Sequence, residues 1–277
     1  MRLGGSVMKP YSSPKEWLAH VKELGYSAVV FPVESTAPAS VVQEYLRVCQ
    51  DNDLLIGEVG AWRNVMALDP KEREANLDWN IRQLELADYV GANCCVNISG
   101  NCGEQWDGHH PDNLTQKTFE AVVRTTQRII DAVNPKNTEY TLEPMPWMFP
   151  HTADSYVELL KAVDRKGFAA HLDPVNVINS PVLYYQTGEV IREWFEKLGP
   201  KIRSCHAKDI VLSGSLTVHL DECRPGTGNL DYRTYLECMT TLPDNTCLML
   251  EHMSREEDYI LAAKYLKGLA AEMNIQL

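Results

Sequence analysis

The chain has 277 residues, 44% of them apolar and 23% charged, the usage of an ordinary globular protein of one large domain or two small ones. Its 26 Lys and Arg stand against 38 Asp and Glu for a formal net charge of -12. That sign excludes a nucleic-acid or anionic-membrane surface from the expected functions, because phosphate binding needs clustered cations.

In chain order, short apolar, β-branched runs at 2–6, 28–33, 54–60, 89–98, 140–144, 169–174, 202–208 and 247–251 read as strands. Between and after them, helical spacing recurs at 14–24, 39–52, 70–87, 114–133, 153–166, 186–198, 232–241 and 254–273. Ser13-Pro14, Asp69-Pro70, Asp154 and Ser254 sit where caps or first-turn residues belong. No linker, charge block or low-complexity tract divides the chain, so one domain over 1–277 is expected. Eight alternations of strand and helix predict an α/β fold, a single-domain (β/α)8 TIM barrel. The rival, an open doubly wound sheet, would carry a Gly-rich phosphate turn after its first strand; Gly4-Gly5-Ser6 runs into Met8-Lys9-Pro10 instead.

The eight cysteines form no Cys-x-x-Cys pair and read as free thiols of a reducing compartment. The first residues lack the apolar core of a signal peptide, and no stretch approaches the ~20 apolar residues of a spanning helix. A cytoplasmic protein without membrane contact is expected.

In such a barrel, polar side chains at the C-terminal strand ends are the ones to examine for chemistry. The last four strands end in Thr141-Leu142-Glu143-Pro144, His171-Leu172-Asp173-Pro174, Cys205-His206-Ala207-Lys208-Asp209 and Met249-Leu250-Glu251-His252. Each supplies one metal-competent group: Glu143, Asp173, His206 and Glu251. Three converging carboxylates repel one another in a low-dielectric lumen unless a cation lies among them. Three hard oxygen donors and one imidazole suit one Mn²⁺ per chain, with Mg²⁺ or Co²⁺ as alternatives, and leave room for adjacent substrate oxygens.

These strand ends, with the loop Arg224-Pro225-Gly226-Thr227-Gly228-Asn229-Leu230-Asp231, resemble the xylose-isomerase-like sugar isomerase/epimerase superfamily of ketose 3-epimerases, inosose isomerases and dehydratases, and endonuclease IV. The resemblance implies that Glu143, Asp173, His206 and Glu251 bind one divalent metal and that Glu143 and Glu251 are the catalytic acid/base pair. Asn176 stands where many relatives have a histidine that contacts substrate or a further metal, which disfavours a multi-zinc site and, with the acidic charge, the DNA-repair branch. Relatives are often dimers or tetramers, so a homo-oligomer is one expected state.

The implied activity is isomerisation or epimerisation of a keto-sugar or cyclitol by proton abstraction next to a carbonyl, through a metal-stabilised enediolate. A dehydratase or lyase acting on a keto-sugar or 3-keto-glycoside at the same site is the alternative, and a non-catalytic ligand-binding barrel the third reading. The expected partner is a small sugar, neutral rather than phosphorylated, because Arg224, Lys208 and Lys9 are the only evident cations near the mouth.

Further candidates surround this set. His171 alternates onto the face of Asp173 one layer deeper, either touching ligand or serving as a core histidine. Lys208 shares the face of His206 and either polarises a substrate oxygen or pairs with Asp209. Arg224 precedes two glycines that permit a tight turn over a ligand, and the resemblance implies that this loop supplies a substrate-binding arginine. Trp62 and Trp147 (followed by Met148 and Phe149) either wall the sugar site or cap the barrel. Glu58 ends the third strand with its facing unassigned. His252 is expected to point away from the site, and Trp106, Asp107, His109 and His110 to lie on a surface loop.

Overall fold

The computed structural model describes residues 1–277. In chain order its elements are β1 (Arg2–Gly5), α1 (Pro14–Leu24), β2 (Ala28–Val30), α2 (Ala39–Asp51), β3 (Leu55–Gly60), α3 (Pro70–Val90), β4 (Cys94–Asn97) and α4 (Gln116–Val133). There follow β5 (Glu139–Leu142), α5 (Ala153–Val163), β6 (Phe168–Leu172), α6 (Pro181–Tyr184), α7 (Thr187–Leu198), β7 (Ile202–Ala207), β8 (Asp209–Leu212), β9 (Leu220–Cys223), α8 (Tyr232–Met239), β10 (Cys247–Leu250) and α9 (Glu256–Glu272).

Eight parallel strands close into a barrel in the order β1-β10-β7-β6-β5-β4-β3-β2, with the major helices outside, as the alternating pattern predicts. The barrel strands are buried on both faces, which is why they read as apolar runs without a period of two. Several helices start on side-chain caps: Ser13 accepts from Glu16 N–H, Asp69 from Lys71 N–H, and Thr152 forms a capping box with Ser155. Asp154 lies in the first turn of α5, whereas α9 begins behind Arg255 rather than at Ser254. Between strands and helices one continuous cluster of buried apolar side chains joins all layers.

Two features depart from the sequence-based expectation. The fourth strand, expected from residue 89, begins at Cys94, because α3 continues to Val90 before Gly91 ends it in the left-handed region. An antiparallel hairpin, β8 paired with β9, also rises between the seventh and eighth barrel strands. Its strands are short and, beyond Ile210, largely solvated, and residues 213–219 connect them, so it has neither the length nor the apolar alternation that marks a strand.

Three tyrosine hydroxyls fix the strands that carry the site residues. Tyr156 on α5 donates to Leu142 O at 2.7 Å and accepts from His171 N–H at 3.0 Å, joining β5 to β6. From α8, Tyr235 donates to His206 O at 2.9 Å and Tyr232 to Lys208 O at 2.7 Å. All three rings are buried, so these bonds are formed away from competing water.

Candidate metal centre and active-site mouth

The donor groups sit at or just beyond the C-terminal ends of four strands that are neighbours around the barrel, β5, β6, β7 and β10. Glu143 follows β5, Asp173 follows β6, His206 is the penultimate residue of β7, and Glu251 follows β10. One ligand-capable atom from each lies within 4.8 Å of the others. His206 Nδ1 is 2.9 Å from Glu251 Oε1, 3.1 Å from Glu143 Oε1 and 3.8 Å from Asp173 Oδ2.

Local backbone geometry aims these oxygens. Asp173 Oδ1 accepts from Val175 N–H at 2.9 Å, a tight side-chain turn that occupies one oxygen and turns Oδ2 inward. Asn176 donates its amide to Glu143 Oε1 at 2.9 Å, so this position holds a catalytic-pair candidate in place. Behind the cluster, Glu58 reaches across the lumen from β3: its carboxylate lies 3.3 Å from His206 Nε2 and 3.1 Å from His171 Nε2, and it accepts from the Ser204 hydroxyl. A carboxylate behind Nε2 keeps a proton there and leaves Nδ1 as the ligating nitrogen.

Charge is the dominant problem of this lumen. Lys208 is fully buried, with Nζ 2.7 Å from Glu251 Oε1, 2.8 Å from Asp173 Oδ2 and 3.0 Å from Glu222 Oε1. Burial alone would lower this ammonium, but Asp173, Glu251, Glu143 and Glu222 outweigh it and hold it well above its ordinary value. Burial likewise works against His206⁺, yet Glu251, Glu58 and Glu143 keep the imidazole well above its usual range. The paired glutamates are driven apart. Burial, then the Glu251 charge, pushes Glu143 up, whereas His206 and Lys208 overcome burial at Glu251 and hold it below its ordinary value.

The residues fit a divalent cation. Asp173 Oδ2 and Glu251 Oε1 converge with Glu143 and His206 into a set of three hard oxygen donors and one imidazole, with Lys208 as the sole cationic side chain set against it, at 2.8 and 2.7 Å. Glu58, His171 and His206 form a second group of potential ligands. There Ser204 and both imidazoles already engage the Glu58 carboxylate, which makes this group a support for His206.

Above the cluster opens a cavity of about 990 Å³. Trp62, Trp147, Asn176, Glu143, His206 and Glu251 all line it. Lys208 lies beneath, on Asp173 and Glu251, rather than on Asp209; the Asp209 carboxylate instead accepts the N–H groups of Gly226, Gly228, Ile210 and Leu230. At Gly228 a Cβ would collide with that carboxylate, which explains a glycine there.

Other expectations need correction. His171 lies a layer below the cavity and does not line it, because its ring stacks edge-on against His206 with centroids 4.1 Å apart. Arg224 turns to Asp258 of α9 at 3.5 Å and is absent from the cavity wall. His252 does line the mouth, 2.9 Å from Glu222, because φ of 56° just after β10 breaks the strand alternation. Trp106 and Asp107 also form part of the wall: the Trp147 indole N–H donates to Asp107 O at 2.8 Å and folds the loop inward. Glu58, whose facing the sequence left open, Glu222, which it did not single out, and Trp106, expected on a surface loop, are the additional functional candidates. Glu58 alone carried a signal, an acid inside an apolar run.

The sequence matches the family model described as xylose isomerase-like TIM barrel over residues 18–269, and the chain belongs to that family. Its fold is similar to that of a xylose isomerase domain protein from Planctomyces limnophilus, at 18% identity, TM-score 0.70, and 98% of this chain against 96% of that one. It is similar as well to D-psicose 3-epimerase from Clostridium cellulolyticum H10, solved with D-tagatose, at 14% identity, TM-score 0.70 and full coverage of both chains. A probable 3-DHS dehydratase from Bacillus anthracis gives 16% identity, TM-score 0.72, and coverage of 98% of this chain and 99% of that one. At these identities the likeness is one of fold. Comparison with curated proteins gives no match.

Proposed function

We propose that the protein is a divalent-metal-dependent sugar isomerase or epimerase in which Glu143, Asp173, His206 and Glu251 hold the cation, Mn²⁺ foremost, and Glu143 and Glu251 move the proton. The observation that carries this reading is the convergence of three carboxylates and one imidazole at neighbouring strand ends, with one ligand-capable atom of each within 4.8 Å of the others. When bound, a divalent cation supplies Lewis-acid stabilisation of negative charge developing on substrate oxygens.

The remaining steps belong to side chains. Glu251, beside His206 Nδ1 and Lys208 Nζ at 2.9 and 2.7 Å, accepts the proton from the carbon next to the substrate carbonyl, and the electron pair moves toward oxygen to give an enediolate. Glu143, on the opposite side of the cluster, returns a proton to the other face, which inverts the carbon. Asn176 fixes the Glu143 carboxyl, and the apolar wall limits water at the reacting carbon. The same carbanion expels a β leaving group if the substrate carries one. The fold shared with a probable dehydratase supports this second reading, elimination at the same site.

Incubation of the Mn²⁺-loaded protein with keto-sugars in D₂O separates the two. Isomerisation or epimerisation predicts deuterium in recovered sugar without elimination products, with turnover falling at least ~10³-fold in Glu251→Gln and Glu143→Gln. Full activity of Glu251→Gln would refute the two-carboxylate scheme.

A further inference from the structure

We propose that the mouth of the barrel is a second subsite for an uncharged ring attached to the sugar, so that the substrate is a neutral keto-glycoside rather than a free or phosphorylated monosaccharide. The inference deepens the sugar-enzyme reading above and rests on it.

Size is the first argument. A cavity of about 990 Å³ stands at the upper end of the range that encloses a drug-sized ligand. One sugar ring at the four-donor cluster leaves most of that space to be filled.

Charge is the second. None of the 25 residues lining the cavity is Lys or Arg, while Asp107 and Glu222 add carboxylates to the rim. The buried Lys208 ammonium is engaged by three carboxylates, and Arg224 by Asp258, so neither is free to meet an anionic substituent. A phosphate or carboxylate on the outer part of the ligand would meet the Asp107 and Glu222 carboxylates, with the rim's His252 already paired to Glu222 at 2.9 Å.

The third is a rigid aromatic platform. Trp62, Trp106 and Trp147 keep 39%, 40% and 39% of their surface exposed, yet their loops are fixed. Asn64 and Asn101 exchange hydrogen bonds of 2.9 and 3.0 Å, tying the loop after β3 to the loop after β4. Asn97 from β4 donates to Arg63 O at 3.0 Å, next to Trp62. The Trp147 indole is anchored to Asp107 O and set edge-on to His109, with ring centroids 6.4 Å apart. Large apolar rings held half-exposed by buried amides form a preorganised stacking surface.

Topology supplies the opposite wall. β3 and β7 stand four places apart in the eight-stranded barrel, so the hairpin that follows β7 rises across the mouth from Trp62. Its Val218 and Leu220 line the same cavity. A ring attached to the bound sugar is thereby enclosed between indoles on one arc of the rim and aliphatic side chains on the other.

Calorimetric titration of the Mn²⁺-loaded protein with matched phenyl and methyl β-D-glucopyranosides, and the corresponding β-D-galactopyranosides, tests this subsite. The phenyl member of the better-bound pair is expected to bind about tenfold more tightly than the methyl member, and that ratio to fall to about twofold or less in Trp106→Ala and Trp147→Ala. Glucose 6-phosphate is expected to bind no better than glucose. The proposal is overturned if neither phenyl glycoside binds more tightly than its methyl partner, if the preference survives in the triple Trp62, Trp106 and Trp147 alanine variant, or if the phosphate improves binding. Mn²⁺-induced thermal stabilisation of the same samples tells failure of the subsite from failure of the metal-centred reading.

Discussion

Lys208 and Glu58 show how single charges organise the lumen. Lys208 lies against two of the proposed metal-binding carboxylates, so it is the protein's own counter-cation to the cluster. Its replacement in Lys208→Met leaves buried carboxylates uncompensated, at a cost of ~3–5 kcal/mol to the metal-free protein. Melting temperatures measured in chelator and in MnCl₂ should therefore reveal a lower chelated Tm and a larger Mn²⁺-induced gain than wild type; an unchanged gain would contradict this role. Glu58 is depressed below the ordinary carboxylate value of 4.5, because His206 and His171 overcome the raising effect of burial. A depressed carboxylate stabilises the fold above its unfolded pKa and loses that contribution as pH falls. The stability gap between wild type and Glu58→Gln, read by denaturant titration of metal-free protein, should be widest near neutrality and narrow below pH 4.5. Parallel curves would refute the coupling.

At this scale the four clustered residues, Glu143, Asp173, His206 and Glu251, stood out in the sequence because Glu, Asp and His interrupt runs that are otherwise apolar. Glu58 interrupts such a run too, but a strand buried on both faces carries no alternation from which its facing could be read. His252 misled for a local reason: period-two reasoning stops where the strand stops, and a left-handed φ immediately after β10 returns the side chain to the mouth.

Among elements, the helices act on the site through the strands they cover. Tyr235→Phe removes the hydroxyl that satisfies His206 O, leaving a buried carbonyl without that donor, and is expected to cost ~1–3 kcal/mol in denaturant-monitored stability. The same variant should bind Mn²⁺ more weakly, since the backbone carrying the imidazole loses its tether. Unaltered Mn²⁺ affinity would confine Tyr235 to packing. Strand and helix positions were legible from periodicity and caps, and their boundaries moved where glycine or a longer helix decided them. The β8–β9 hairpin was not legible, because its order comes from long-range contacts: Asp209 collects the N–H groups of the Gly226–Leu230 turn that follows the hairpin. The motif glycines visible in the sequence are explained by that carboxylate.

For the whole molecule, barrel closure is what turns scattered strand ends into a site. Glu143 and Asp173 are separated by an entire helix in the chain, and Glu58 and His206 by 148 residues, yet closure sets them around one lumen. The barrel was legible in the eightfold alternation of strand and helix, whereas the enclosed shape of the mouth depends on loops whose course no periodicity encodes. No helix is long and apolar enough to cross a membrane. The concentration of buried carboxylates beneath an open cavity makes cation binding the central claim, and metal content tests it most directly. Elemental analysis after equilibration with Mn²⁺ and removal of free ion should find about one Mn²⁺ per chain, and His206→Ala should lose it. Protein that retains no divalent metal, or that retains it equally in His206→Ala, would contradict the account.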